Sequence, residues 1–444
     1  MKPLLADQKD RYLSFFDARR ARDAAWIEPL RRRAADRFAE VGFPTTRVEA
    51  WKYTDVSPLL KHEFEPSTSA GCERVDFKAL EALQVPEASG ATLVFIDGHL
   101  CKDLSRVSSL PDGVILADLF EAAESPSGVL VRERLSTLVP YETEPFAALN
   151  TAITEGGAFL YVPDGCVVEA PIHLIYLAGG APMPAVSHPR TLLIAGANSS
   201  VRVVETFAPA GAKASFANAV AEIALAEGAR VEHYRVQREL ESAGYHVGST
   251  DVHVGRSASY TSISMNIGGA FSRHDLRVAL AAEGAECRID GLYVLEGEQH
   301  SDSHTRIDHL VPNTSSSQIY KGVVDDAARA VFNGKVVVHE GAQKTEAHQT
   351  NKNLMLSATA RVDTKPELEI FADDVICTHG ATVGALEDEE RFYLASRGLD
   401  EETARALLTY GFAEEIVEEV KIESVRHHLD AFILNRFQKG MKLR

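Results

Sequence analysis

The fold of this chain is decided by four stretches of its sequence: GANSSVRVVETF (residues 196–207), GARVEHYRVQ (228–237), SASYTSIS (257–264) and GAECRID (284–290). Each stretch begins with a corner of small residues and continues into a run of the kind that forms a strand. The corner alanines recur at intervals of 32, 29 and 27 residues, and the strand positions that follow them keep a similar spacing. The alanines are Ala197, Ala229, Ala258 and Ala285, and the strand positions are Val201, Val231, Tyr260 and Ile289.

Short β-rich runs of this kind extend from about residue 144 to residue 370, without strong helical periodicity. Irregular repeats with tight turns and no intervening helices favour a parallel β-helix, in which each period is one or two coils. An antiparallel sandwich is the competing interpretation, but sandwiches usually show more Asn-Gly or Asp-Gly hairpin turns. We therefore predict a mainly β protein with a parallel β-helix core.

Helical patterns flank this core. Residues 5–41 show apolar positions at three- and four-residue spacing and end at Gly42-Phe43-Pro44. After Arg397, the acids of Asp400-Glu401-Glu402 open a helix, a second apolar stripe follows Gly411, and a third helix begins near Val425. The predicted division is an N-terminal helical or mixed region (1–143), a β-helix core (144–395) and a C-terminal helical domain (396–444).

The composition and charge of the chain argue against several classes of function. A net charge of -18 argues against binding to nucleic acid or to an anionic membrane surface. The most apolar window, residues 171–186, is interrupted by glycines and prolines, so we expect no membrane span. The five cysteines are widely and irregularly spaced without a CxxC, which predicts no disulfide framework and a reducing compartment. We expect a cytoplasmic protein.

The sequence contains no familiar catalytic motif. GxxxxGK[ST], GxGxxG, GxSxG and HExxH are all absent, so the chain has no sign of its own nucleotide hydrolysis. This absence argues against a familiar enzyme.

One segment places two good metal ligands together. In ADDVICTHGATVG (residues 372–384), Cys377 and His379 are two residues apart in a β-branched context, so a strand would put both on one face. A thiolate and an imidazole on one face suit a metal ion or a transferred sulfur. The simpler alternative is a small core cysteine beside a structural histidine.

A second candidate is the segment GEQHSDSHTRIDHLVP, in which His300, Asp302 and His304 alternate along a predicted strand. Two imidazoles and a carboxylate could bind zinc or iron. We favour a polar ladder on the outside of the β-helix, because no nucleophile or closed pocket is near. Residues 343–353 form a second polar tract. Stacking of amide and hydroxyl side chains on successive rungs explains this tract without a catalytic role.

The run from AQKTEAHQTNKNLMLSATARVDTKPELEIFADDVICTHGATVG to ETARALLTYGFAEEI resembles the SufB/SufD family of the SUF iron–sulfur cluster assembly machinery. The resemblance also includes SSSQIYKG, SDSHTRIDHLVP and RVEAWKYT, and it covers residues from about 45 to 422. Within the family the chain is similar to SufD. SufB chains typically read HEATTS where this chain has residues 379–384, and SufB remains the alternative.

This resemblance implies a right-handed parallel β-helix between helical ends, in a scaffold subunit that is not an enzyme. It implies pairing with SufB through the β-helix and binding of the ATPase SufC through the C-terminal helices, with homodimers possible in the isolated chain. His379 and Cys377 would lie at the SufB interface, where a transient iron–sulfur cluster is assembled, with no intrinsic cofactor. The implied SufC contacts are Arg397, Leu399, Leu407, Leu408 and Phe412. A β-helix enzyme acting on a small or carbohydrate substrate is the alternative from another class.

Overall fold

The structure is a computed structural model that describes residues 2–18, 25–66, 71–72, 75, 80–108, 110–181, 183–239 and 241–437. None of the described helices has the length and apolar character needed to cross a bilayer. The α-helices are α1 (Lys2–Ala18), α2 (Glu28–Val41), α3 (Ser57–Leu60), α4 (Leu119–Glu124), α5 (Gly128–Arg134), α6 (Pro145–Ile153), α7 (Asp388–Ser396), α8 (Glu401–Val417) and α9 (Glu423–Phe437).

Strands occupy the middle of the chain. They are β1 (Glu65–Pro66), β2 (Ala91–Ile96), β3 (His99–Leu100), β4 (Arg106–Val107), β5 (Ile115–Asp118), β6 (Gly157–Val162), β7 (Ile172–Ala178), β8 (Ala185–Ser187), β9 (Arg190–Ala195), β10 (Ser200–Pro209) and β11 (Ser215–Leu225). They continue with β12 (Arg230–Gln237), β13 (Gly244–Val254), β14 (Ser259–Asn266), β15 (Phe271–Leu280), β16 (Glu286–Leu295), β17 (His300–His309), β18 (Ser315–Val324), β19 (Arg329–Val338), β20 (Glu346–Met355), β21 (Arg361–Ile370) and β22 (Ile376–Gly384).

The strands form two sheets, each with 11 strands in the described part of the chain. The even sheet contains the even-numbered strands from β10 to β22, followed by β7 and β2. The odd sheet contains the odd-numbered strands from β9 to β21, followed by β6. From β9 onward the chain alternates between the two sheets. All pairs of neighbouring strands among β9 to β22 are parallel. The result is a parallel β-solenoid of about eight turns, which confirms the predicted mainly β core between helical ends.

Successive rungs are stacked in register. Val201, Val231 and Tyr260 lie directly above one another in the even sheet, as their spacing predicted. The next place in this column belongs to Cys287 rather than to Ile289, which lies two residues further along the same strand. Because side chains two apart share a face, Ile289 still points inward and belongs to the core.

The small-residue corners are tight turns with a left-handed backbone. Gly228, Ser257 and Gly284 have φ angles of 68°, 51° and 73°, a conformation that glycine and small polar residues tolerate best. The alanine that follows each of them is fully buried against the core. The same conformation occurs in the first corner at Asn198, where the alanine, Ala197, precedes it and is half-buried, and at the turns of other rungs at Asn313 and Lys344.

Several helices differ from the sequence prediction. The helix expected over residues 5–41 is two helices, α1 and α2, with a turn at residues 25–27, while residues 19–24 lie outside the described part of the chain. A single helix, α8, runs through Gly411, because an exposed glycine with open space around it does not stop a helix that packs on its neighbours. Helix α7 lies in residues assigned to the β-helix core. The domain boundaries themselves stay a prediction.

Cys72 and Cys101 form a disulfide, so the prediction of no disulfide was wrong. The two residues are 29 apart in sequence, and Cys101 is buried among apolar side chains of β2 and β7. The spacing of the two cysteines in the sequence could not predict this bond, because their contact depends on how the chain between them folds. The prediction of a reducing compartment therefore loses one of its premises.

Several histidines of the solenoid are buried and neutral, on the inward faces of its sheets (His309) and on a covered outward face (His173). His309, which is fully buried, makes hydrogen bonds through Nδ1 with Thr314 Oγ1 (2.8 Å) and through Nε2 with Ser316 Oγ (2.9 Å). Burial lowers the pKa of His309 to about 4 and that of His173 to about 3. Both side chains are therefore uncharged in the folded protein at neutral pH.

This gives the first prediction, a loss of stability in mild acid. In the unfolded chain His309 takes up a proton near pH 6.5, but in the folded chain it does so only near pH 4, so the unfolded state binds more protons between these values. Stability falls as the pH is lowered through this range, by about 1.4 kcal/mol per pH unit for each such histidine. His309→Gln should reduce that slope in urea unfolding at pH 7, 6 and 5. The exposed His427→Gln is the matched control, and an equal change in both variants would contradict the assignment.

Candidate functional site

The last rung of the solenoid lies at the ends of both sheets. β22 is the terminal strand of the even sheet and pairs with β20, while β21 is the terminal strand of the odd sheet and pairs with β19. In the described part of the chain neither strand has a second neighbour in its sheet. We call the surface formed by β21 and β22 the open end.

Cys377 and His379 lie on β22, at the open end. They are in register with Ala347 and Gln349 of β20, whose side chains are buried inside the solenoid, so they occupy the inward face of the last rung. Cys377 is half-buried and packs against the apolar core, whereas His379 is exposed. The structure thus places the two candidate ligands on one face, at the end of the interior column.

The thiol of Cys377 is not activated in this chain alone. Burial raises its pKa, and a backbone hydrogen bond from Ala347 offsets part of that effect. At neutral pH the group is therefore a thiol, and a metal ion bound there would have to displace its proton.

The backbone of β22 also has an unpaired side. Ile376 N–H donates to Thr345 O, and in a parallel ladder the residues that face one neighbour alternate with those that face the other. The N–H and C=O groups of Cys377 and His379 therefore point toward the free edge. Such an edge is a template for pairing with another chain.

The open end is also apolar where earlier rungs are polar. Ile376 is 64% exposed and points outward, while the six strand positions that precede it in its register column, from β10 to β20, are all polar. Those positions are Ser200, Arg230, Ser259, Glu286, Ser315 and Glu346. Other exposed apolar side chains lie on either side of Ile376 in the chain: Ile370, Phe371, Val383, Phe392 and Tyr393. Sequence analysis missed this surface, although the change from polar to apolar at one column position was a usable signal.

Cys377 and His379 cannot form a complete metal site by themselves. Among the described residues, no three His, Cys, Asp or Glu side chains are grouped closely enough to hold a metal ion. Iron and zinc sites with thiolate and imidazole ligands usually have four ligands. A metal site built on this pair would need ligands from outside the described residues.

His300, Asp302 and His304 form a buried hydrogen-bonded network. They share the outward face of β17, as predicted, but the N-terminal region covers them. Thr54 Oγ1 donates to Asp302 Oδ2 (2.6 Å) and lies 3.0 Å from His300 Nε2.

Arg273 provides the charge that balances this network. Its guanidinium lies 2.6 Å from Asp302 and 3.9 Å from the centre of the Trp51 ring. Although burial acts against it, the nearby His304 and Arg273 hold the pKa of Asp302 well below its usual range. The carboxylate is thus occupied by Thr54, His304 and Arg273, which supports the polar-ladder interpretation and places the ladder beneath a cover rather than in solvent.

Comparison with known proteins identifies the family. Residues 176–412 match the core domain of SufBD proteins, described as SUF system FeS cluster assembly, and residues 6–174 match the SufBD protein N-terminal region. The chain belongs to the SufBD family. It is therefore a member of a family of iron–sulfur cluster assembly proteins.

Relatives span most of the chain. An iron–sulfur cluster assembly SufBD family protein of Synechocystis is 36% identical over 90% of this chain and 88% of its own length. Iron–sulfur cluster assembly protein SufD of Escherichia coli is 30% identical over 93% of this chain and 94% of its own length. Iron–sulfur cluster assembly protein SufB of Bacillus subtilis is 28% identical over 78% and 75%, respectively.

The predicted partner-binding residues of this SufBD chain lie on and before α8. Arg397 and Leu407 are exposed, and Leu399 and Leu408 are half-buried. Phe412 faces the solenoid, since its ring and its carbonyl oxygen both contact the Lys321 ammonium group. Arg397 and Leu407 are thus available to a partner, while Phe412 has a structural contact of its own.

The second prediction tests the role of Asp302. Asp302→Ala leaves the buried Arg273 charge without one of its partners, so we expect the free energy of unfolding to fall by about 3–5 kcal/mol. Asp363→Ala is the matched control, because it breaks a half-exposed pair with Arg329 on the same sheet and should cost at most about 1 kcal/mol. Urea unfolding measures both. A metal-binding ladder would instead lose iron or zinc content in Asp302→Ala with little change in stability.

Proposed function

We propose that this chain is the SufD-like subunit of a cytoplasmic scaffold for iron–sulfur cluster assembly. In this proposal the open end pairs with a SufB-like subunit, and His379 and Cys377 contribute ligands at that interface. The cluster is cargo that is built there and passed on, and the chain is not itself an enzyme. The observation that carries the proposal is the open end, where unpaired strand edges, exposed apolar side chains and the two candidate ligands coincide.

The assignment to SufD rather than SufB rests on coverage and on sequence. The alignment to SufD of E. coli takes in 94% of that protein, whereas the alignment to SufB of B. subtilis takes in 75% of it. Residues 379–384 of this chain, HGATVG, differ from the HEATTS that is typical of SufB. The enzyme alternative has no support, because its candidate residues are bonded to Thr54 and Arg273.

The C-terminal helices are proposed to bind a SufC-like ATPase. The buried faces of α8 and α9 pack on the outside of the even sheet, through Ile416, Val417 and Leu429 among others. Leu407 of α8 remains 44% exposed, and Arg397 and Leu399 precede the same helix. These residues would form the ATPase contact, with Leu408 and Phe412 supporting it from the side of the solenoid.

A short segment of chain connects the strand that carries Cys377 and His379 to the helices proposed to bind the ATPase. Only residues 385–387 separate the end of β22 from the start of α7, so a displacement of α7 acts on β22 over a short length of chain. We propose that ATP binding dimerises two ATPase subunits and pulls on the helical domains. The resulting strain would open the interface and expose Cys377 and His379 to incoming iron and sulfide.

The third prediction concerns His379. We expect His379→Ala to leave the complex with SufB-like and SufC-like partners intact but to lower its iron and acid-labile sulfide content severalfold, because one ligand is lost. The measurement is anaerobic co-purification followed by iron and sulfide analysis. His348→Ala is the matched control, since His348 is an exposed histidine on the outward face of the neighbouring strand. Equal cluster content in both variants would contradict the role of His379.

The fourth prediction concerns the free edge of β22. Ala381→Pro removes an N–H group that faces this edge, at an exposed position preceded by glycine. We expect the isolated chain to keep its unfolding midpoint, while assembly with the SufB-like partner weakens at least tenfold in sedimentation analysis. Ala381→Val keeps the N–H group and should assemble normally. Normal assembly of the proline variant would show that the edge does not pair.

A further inference from the structure

A ladder of amide side chains runs inside the solenoid toward His379. Gln318 Nε2 donates to Thr305 Oγ1 of the facing sheet (2.6 Å), and Gln349 Nε2 donates to Gln318 Oε1 (2.9 Å). Both glutamines are essentially buried, at 1% and 2% exposure. In both glutamines the Nε2 group therefore donates to a strand that precedes it in the chain, away from the open end.

The ladder ends in an unused acceptor. In the described part of the chain Gln349 Oε1 is buried and has no hydrogen-bond partner. Because Gln349 Nε2 donates back to the preceding rung, its oxygen is directed toward the next rung, as in stacked amide ladders. The residue in register on that rung is His379.

The spacing suits a hydrogen bond between them. Neighbouring strands lie about 4.7–4.9 Å apart, so an imidazole one rung further along can place a ring N–H within bonding distance of an amide oxygen. The facing strand holds Gln349 in place, because a Cβ at Gly334 would lie only 2.4 Å from Gln349 Nε2. The amide thus occupies the space that the missing side chain leaves.

We propose that Gln349 is the positioning residue of His379. The two groups are not bonded in this structure, but the His379 ring is exposed, and rotation of its side chain brings one ring N–H to Gln349 Oε1. That hydrogen bond fixes the tautomer and the ring orientation and leaves the other nitrogen unprotonated and directed at the open end. Histidines that bind metals commonly donate their second N–H to a carbonyl group in this way. The inference rests on the proposed role of His379 as a ligand, and it adds a residue from the interior to that site.

The test compares two buried glutamines. Gln349→Met removes the acceptor and keeps the length of the side chain. Gln237→Met is the matched control, because Gln237 is also buried, also has an unpaired Oε1 and lies on β12, far from β22. Ring ¹⁵N spectra of the histidine-labelled, metal-free chain report the tautomer of His379, which is assigned from the signal that His379→Ala removes.

We expect one neutral tautomer of His379 in the wild type and in Gln237→Met, and a mixture of both tautomers in Gln349→Met. Gln349→Leu, which also lacks an acceptor, should give the same mixture, and it keeps the test decisive if the methionine variant does not fold. In the assembled complex we expect Gln349→Met to weaken iron binding by about 10- to 100-fold.

Two results would overturn the proposal. The first is an unchanged His379 signal in Gln349→Met. The second is the same change in Gln237→Met, which would show a general effect on the core. If Gln349→Met alters the tautomer but His379→Ala leaves the cluster content unchanged, the positioning role stands and the proposed function of His379 fails. If His379→Ala removes the cluster and Gln349→Met changes neither property, the function stands without Gln349.

Discussion

The structure depends on one constraint, the parallel register between successive rungs. Each strand from β11 to β20 is hydrogen-bonded to the strand two before it and the strand two after it, with the same residue columns continued from rung to rung. A parallel stack of this kind does not close on itself, so each sheet must begin and end with an edge. Whether each of these edges is covered or left exposed determines where another chain could pair with the solenoid.

The two ends are treated differently. At the N-terminal end, the antiparallel strand β5 is added beside β6, while β3 and β4 are added beside β2, and helices cover the outer face of the odd sheet. At the other end no such strand is added within the described residues, and the outward column changes from polar to apolar at Ile376. An apolar edge without cover is a liability in a monomer, which is why it supports the proposal that this end pairs with another chain.

The sequence predicted the fold because its signals are repeated. The left-handed turn, the buried alanine and the inward β-branched residue recur in several rungs, so an error at one rung, such as Ile289 in place of Cys287, does not change the architecture. Features that occur once were less predictable. The Cys72–Cys101 disulfide joins residues whose contact depends on the folding of the segment between them. The cover over His300 and Asp302 comes from Thr54, about 250 residues away, and no local pattern could predict it.

The candidate site was predictable in part for the same reason. The i, i+2 spacing of Cys377 and His379 is a local property of a strand and placed them on one face, but their position on the last rung follows from where the stack ends. That position explains the chemistry available to them. In the proposed function, a cysteine kept as a thiol by burial and a histidine exposed at an open edge would provide two ligands, and among the described residues no group of three His, Cys, Asp or Glu could hold a metal ion. Since an iron–sulfur cluster usually has more than two protein ligands, the proposed site would need ligands from the partner that pairs with the same edge. On that proposal, assembly of the protein complex would also complete the metal site.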